Sequence, residues 1–141
     1  MAFMYYEGTK DYVAATPALV VTFRASGSIT AGRIVTFDSG DNDTDVIQPA
    51  ATTASGALTP AGLACKTVSD GEDIPVLVWG FGKNIATRVA GNPGDPIVIS
   101  GAGYVVPSGS TAAASGVLRN FIGKWVSGSA TSCMAFIDCL K

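Results

Sequence analysis

An all-β fold, a small barrel or sandwich, is what this sequence predicts, and three features carry the prediction. Apolar segments of strand length alternate with Gly, Pro, Asp and Asn at close intervals, as in PALVV (Pro17–Val21) and IPVLVWGFG (Ile74–Gly82). No segment holds a 3.6-residue apolar period over three turns, so long helices are not expected. The same order of segments is also told twice, which predicts two similar β-units in one domain.

The first 23 residues differ from the rest. MAFMYYEGTKDYVAATPALVVTF is rich in aromatics, carries Glu7, Lys10 and Asp11, and alternates only weakly. It reads as an extended N-terminal arm before a single β domain over 24–141. Phe3, Tyr5, Tyr6 and Tyr12 are its candidate anchors, because aromatic side chains supply large contact area at small entropic cost.

From Ser26 the pattern is strand and turn. ITAGRIVTFDSG holds the Ile34-Val35 pair and Phe37, and a polar loop follows over Asp38–Asp45. VIQPA is closed by Pro49. GALTPAGLACKTV leads to an Asp70-Gly71 turn, and then IPVLVWGFG begins. The second copy is expected over 91–140, answering 29–82. GNPGDPIVISGAGYVVPSG repeats the Gly, Ile-Val, turn, Val-rich order; ASGVLRNFIGKWV matches ASGALTPAGLACKTV; CMAFIDCL stands for IPVLVWGF. Ile97-Val98 answers Ile34-Val35, Leu118 answers Leu58, and Ala135-Phe136-Ile137 answers Val76-Leu77-Val78, at offsets of 59 to 63 residues. At most one short helix is expected, in the Ala-rich stretch near Ser108–Ser115.

The strand Ile74–Trp79 is apolar on both faces. Strict alternation puts Ile74, Val76 and Val78 on one face and Leu77 with Trp79 on the other. A half-solvated strand alternates with polar residues. Ile74, Val76, Val78 and Trp79 are therefore expected in a barrel core or a subunit contact.

Composition narrows the function classes. Charged residues are 14% of the chain, against roughly 25% in an ordinary soluble domain, and mean hydropathy is +0.36. No apolar run approaches the ~18 residues of a spanning helix, so no membrane partner is expected. A surface covered in an assembly accounts for the neutrality. The net charge of −2, with nine scattered Lys and Arg, argues against nucleic acid. The start lacks a basic segment leading into an apolar one, so no secretory signal is expected. Cys65, Cys133 and Cys139 are odd in number and irregularly spaced, which suggests reduced thiols in a cytoplasm.

Chemistry has little to work with. The chain has no histidine, which removes the commonest general base and most transition-metal sites. SGAG and WGFG lack the Gly-Lys-Ser/Thr continuation of a phosphate loop. Asp41, Asp43 and Asp45 alternate like the first calcium-loop ligands, but Val46 and Thr52 stand where that loop needs Gly and Glu. The stretch reads as a solvated turn. No catalytic residue, metal or cofactor is expected, and an enzyme ranks last among the readings.

Taken in order, YYEGTKDYVA (Tyr5–Ala14), ITAGRIVTF, the GLA of Gly62–Ala64, VSDGEDIPVLVWGF (Val68–Phe81), GDPIVIS and FIGKWV resemble a family of phage head proteins. These are the capsid decoration, or cement, proteins of tailed phages. The resemblance spans nearly the whole chain, and the Asp/Gly/Glu turn before an apolar strand is its most telling part. SGSATSC (Ser127–Cys133) departs from it by lacking the acids of SDGED. The resemblance implies a β-barrel-like homotrimer on the outer surface of the virion, at three-fold or quasi-three-fold positions of the head. Its partner would be the major capsid protein, and it would be made in the bacterial host cytoplasm. The alternatives are another virion part, such as a tail-tube, head-fibre or spike base protein, or a carbohydrate-binding β module. The last would need Trp79, Tyr104 and Trp125 along one groove, whereas both tryptophans are expected in packing.

Overall fold

The computed structural model describes residues 11–13, 17–37, 46–49, 60–99, 103–108 and 122–139. Among them are nine strands: β1 (Leu19–Ala25), β2 (Ile34–Phe37), β3 (Val46–Pro49), β4 (Pro60–Ala64), β5 (Asp73–Ala86), β6 (Pro96–Ile99), β7 (Val105–Pro107), β8 (Gly123–Gly128) and β9 (Ser132–Asp138). The fold is all-β. The Ala-rich stretch near 108–115 and the Asp41–Asp45 turn fall outside the described residues, apart from Ser108.

One sheet runs β1-β3-β2-β4-β5-β9-β8-β6-β7, and β1 also pairs with β5. That extra pairing bends the first five strands into a nearly closed barrel. β1 joins β5 over Leu19–Arg24, but joins β3 only at Arg24↔Val46 and Ala25↔Ile47. Residues 19–23, placed in the arm by the sequence reading, thus form most of β1. Within β2–β5 the first strand pairs with the second and third, and the third with the fourth; β6–β9 follow the same pattern.

Two cores result. The barrel interior holds Val35, Ala61, Ala64, Ile74, Val76 and Val78, all buried. Its alanines suit the narrow bore of a five-stranded barrel. The second core lies between the outside of the barrel and the β6–β9 half. Ile34, Leu63 and Leu77 enter it from the barrel side, and Ile97, Trp125 and Ile137 from the other. Strands β2, β4 and the first part of β5, through Val78, are covered on both faces, which is why their sequences are apolar without alternation.

Trp79 does not share a face with Leu77. The β1–β5 ladder pairs Val20 with Leu77 and Leu19 with Trp79, so Val78 is an extra, bulged residue. A one-residue insertion reverses the facing of everything beyond it. Leu77 therefore points into the second core, whereas Trp79 and Phe81 point outward. Gly80 and Gly82 take the inward positions, and a Cβ at Gly82 would press on Leu63 and Leu77.

The turn Ser69–Asp73 uses its acids structurally. Gly27 N–H donates to Asp70 Oδ1 at 2.7 Å, and Ser69 N–H donates to Glu72 Oε1 at 3.0 Å. Gly71 sits at φ +82°. The corresponding turn between β8 and β9 uses a hydroxyl instead: Thr131 N–H donates to Ser129 Oγ at 3.3 Å, beside the backbone bond from Ser129 N–H to the Ser132 carbonyl at 2.9 Å. Serine and threonine cap amides in the same way, more weakly.

Candidate functional site: an exposed aromatic face

The outward facing of Trp79 and Phe81 has a counterpart on β9. There Cys133, Ala135 and Ile137 are buried in the second core, so Phe136 stands on the outer face. The β5–β9 register sets Phe81 opposite Phe136 and Trp79 opposite Asp138. The rings then meet edge to face. Trp79 and Phe136 have centroids 5.3 Å apart at 87°, and Phe81 and Phe136 5.1 Å apart at 71°. Leu19, paired with Trp79, extends the face from β1. Leu19 is 44% exposed and Phe81 36%, while Trp79 and Phe136 are half-buried. Lys124, exposed and paired with Phe136 across β8–β9, lies at the rim. The result is a cluster of apolar rings on the sheet surface with a charge at its border.

The residues singled out from sequence are placed differently from one another. Ile74, Val76 and Val78 line the barrel interior, and only Trp79 reaches the surface. Tyr12 is half-buried against the second core. Its carbonyl accepts from Lys83 N–H at 2.9 Å, Val13 bridges Gly82, and Asn84 Nδ2 donates to Asp11 O at 2.6 Å. Phe3, Tyr5 and Tyr6 lie outside the described residues. The carbohydrate groove does not form: Trp125 is 1% exposed in the core, and Tyr104 lies between arginines rather than beside Trp79. Sequence reading missed Leu19, Phe81 and Phe136. The signal available was Trp79-Gly-Phe81, two aromatics at strand spacing.

No chemical centre emerges from the titratable groups. Among the described residues no cluster of three His, Cys, Asp or Glu can hold a metal ion. Cys65, Cys133 and Cys139 form no disulfide with one another. Burial pushes Cys65 up to about 12, against an opposing hydrogen bond from the Leu77 backbone, and burial pushes Cys133 up to about 12 as well. Such thiols are poor nucleophiles.

They do set an alkaline limit. In the unfolded chain these thiols ionise near 9.0, but in the fold they stay neutral. Their contribution is complete below pH 9 and is lost progressively as pH rises towards 12. Denaturant unfolding between pH 9 and 11 should show a steeper loss of stability for the native chain than for Cys65→Ala/Cys133→Ala. Equal slopes would contradict the assignment.

The fold is an all-β sheet closed into a nearly complete barrel at one end. No protein-family model and no curated protein matches the sequence. Among solved structures, the fold is similar to a chain of the capsid of Myoviridae phage XM1, with a TM-score of 0.66 and 19% identity, over 89% of this chain and 86% of that one. It is also similar to the head fiber gp8.5 N base of bacteriophage phi29, with a TM-score of 0.56 and 19% identity, over 87% of this chain and 96% of that one. At this identity the likeness concerns the fold.

Proposed function

We propose that this chain is a structural protein of a tailed-phage head that binds the outside of the shell as a decoration protein. It acts by binding, not by catalysis, and does so as a homotrimer at three-fold or quasi-three-fold positions. The observation that carries this reading is an exposed aromatic face on a scaffold similar in fold to a chain of the phage XM1 capsid. Cementing requires apolar burial and shape across coat subunits, and that face offers both. Three cysteines with no disulfide among them fit assembly in a reducing bacterial cytoplasm.

The arm contributes to the same contact in this proposal. Since Tyr12 packs on the body, Phe3, Tyr5 and Tyr6 are the arm residues assigned to the shell. Deleting residues 2–10, which stops short of the Tyr12–Lys83 and Val13–Gly82 contacts, should leave the melting temperature within a few degrees and weaken head binding about tenfold or more. Unchanged binding would remove the arm from the proposal.

A head-fibre base is the second reading, supported by a likeness spanning 96% of the phi29 fibre-base chain. A reconstruction of purified heads carrying the protein separates the two. Density lying flat at three-fold positions supports decoration, and density at the root of a projecting fibre supports the second reading. Absence from the head overturns both. Light scattering of the isolated protein tests the trimer.

A further inference from the structure

The junction between the two halves holds a second built feature, on a different set of residues from the aromatic face. Arg33 precedes β2, Arg88 follows β5, and Tyr104 precedes β7. The Arg33 guanidinium carbon lies 4.5 Å from the Tyr104 ring centroid and that of Arg88 lies 4.3 Å from it. Arg33 Nη2 also donates to Tyr104 Oη at 2.8 Å. The backbone enforces this convergence. Gly103, at φ +81°, sits so close to β2 that a Cβ there would stand 2.6 Å from Ile34 O. The buried Thr87 hydroxyl donates to Val105 O at 2.6 Å, tying the end of β5 to the start of β7.

Two like charges are thus held no more than about 9 Å apart, the sum of those two distances, within one screening length of each other. Among the described residues no carboxylate pairs with either guanidinium. The ring offsets part of the repulsion through its electron-rich face. It also fixes the guanidinium planes, which lowers the entropic cost of bidentate recognition.

We propose that Arg33, Tyr104 and Arg88 form a receptor for one carboxylate side chain, supplied by the shell protein. This rests on the decoration reading for the source of the carboxylate, though not for the site. Charge complementarity selects the occupant: a single carboxylate pairs with planar guanidinium edges. A polyanion such as nucleic acid would meet a chain of net charge −2 whose nine Lys and Arg are scattered along the sequence.

The test has two arms. Arginine Nε–Hε resonances of the intact protein are followed while titrating a capped Gly-Glu-Gly peptide, a capped Gly-Gln-Gly peptide, and inorganic phosphate. Saturable shifts of Arg33 and Arg88 with the Glu peptide, absent with the Gln peptide, are expected. No saturable shift, or a stronger response to phosphate, overturns the proposal. In the second arm, Arg88→Gln should weaken binding to heads about tenfold, and Arg88→Lys should restore only part of it, because lysine lacks the fork. Arg88 is exposed, so folding should survive both changes. Native affinity in Arg88→Gln overturns the shell as source. If the native chain fails to bind heads at all, the functional reading falls, and the peptide titration alone decides whether the carboxylate site exists.

Discussion

Gly123→Ala should lower the melting temperature by more than 10 °C, the largest single-residue effect on folding expected for this chain. Gly123 lies at φ +155°, a region open essentially to glycine, and a Cβ built there would collide with the Phe136 carbonyl of the paired strand. Gly62 is its counterpart, at φ +154°, with the Leu77 carbonyl in the way. Two costs add. Backbone strain alone is roughly 1–3 kcal/mol. The clash is with backbone in the middle of the sheet, so relief means parting β8 from β9, for a total on the order of 4 kcal/mol or more. At this chain length about 3–4 °C of melting temperature goes with each kcal/mol. Gly94→Ala supplies the control, because Gly94 has φ +90° and a Cβ there would meet nothing within 4 Å. It should cost only the strain. Gly123→Ala melting within 3 °C of Gly94→Ala would show that the strands accommodate a methyl group and that the argument is wrong.

The strand content of the fold was legible because its signals are local. The run Ile74–Trp79 announced burial on both faces by its lack of polar alternation, and the two cores on either side of β5 are the physical reason. The Leu77 carbonyl lies against Gly62 and the Phe136 carbonyl against Gly123, contacts that depend on how strands pair. Val35 likewise faces Gly62, and Ile97 faces Gly123. Register is a property of two strands, and no single segment contains it. The same limit hid the facing of Trp79. The bulge at Val78 arises from how β1 lies on β5, more than fifty residues away in sequence. Phe81 meets Phe136, and Arg33 and Arg88 meet Tyr104, only through such long-range registers. The acidic turn was legible because Asp-Gly is a local signal, and Asp70 and Glu72 hold backbone amides there.

The aromatic face should dominate binding as strongly as Gly123 dominates folding. Phe81→Ser is expected to weaken attachment to heads on the order of 100-fold, which is what loss of a central aromatic anchor amounts to. The edge-to-face contact with Phe136 fixes the ring before binding, so little entropy is lost on docking. Because Phe81 is 36% exposed and points away from both cores, the folded chain should tolerate the change, with melting lowered by about 5 °C or less. Trp79→Ala should weaken binding comparably but cost more stability, since that side chain is half-buried against Phe136. Lys124→Ala, at the rim, should alter affinity by about threefold at most, as exposed border charges do. The ordering is what distinguishes a docking surface from an ordinary exposed sheet. If Phe81→Ser binds heads like the native chain while remaining folded, the face is not the contact, whatever Trp79→Ala does. If Lys124→Ala proves as damaging as Phe81→Ser, attachment is governed by charge, and the salt dependence of binding should then exceed that of any aromatic variant.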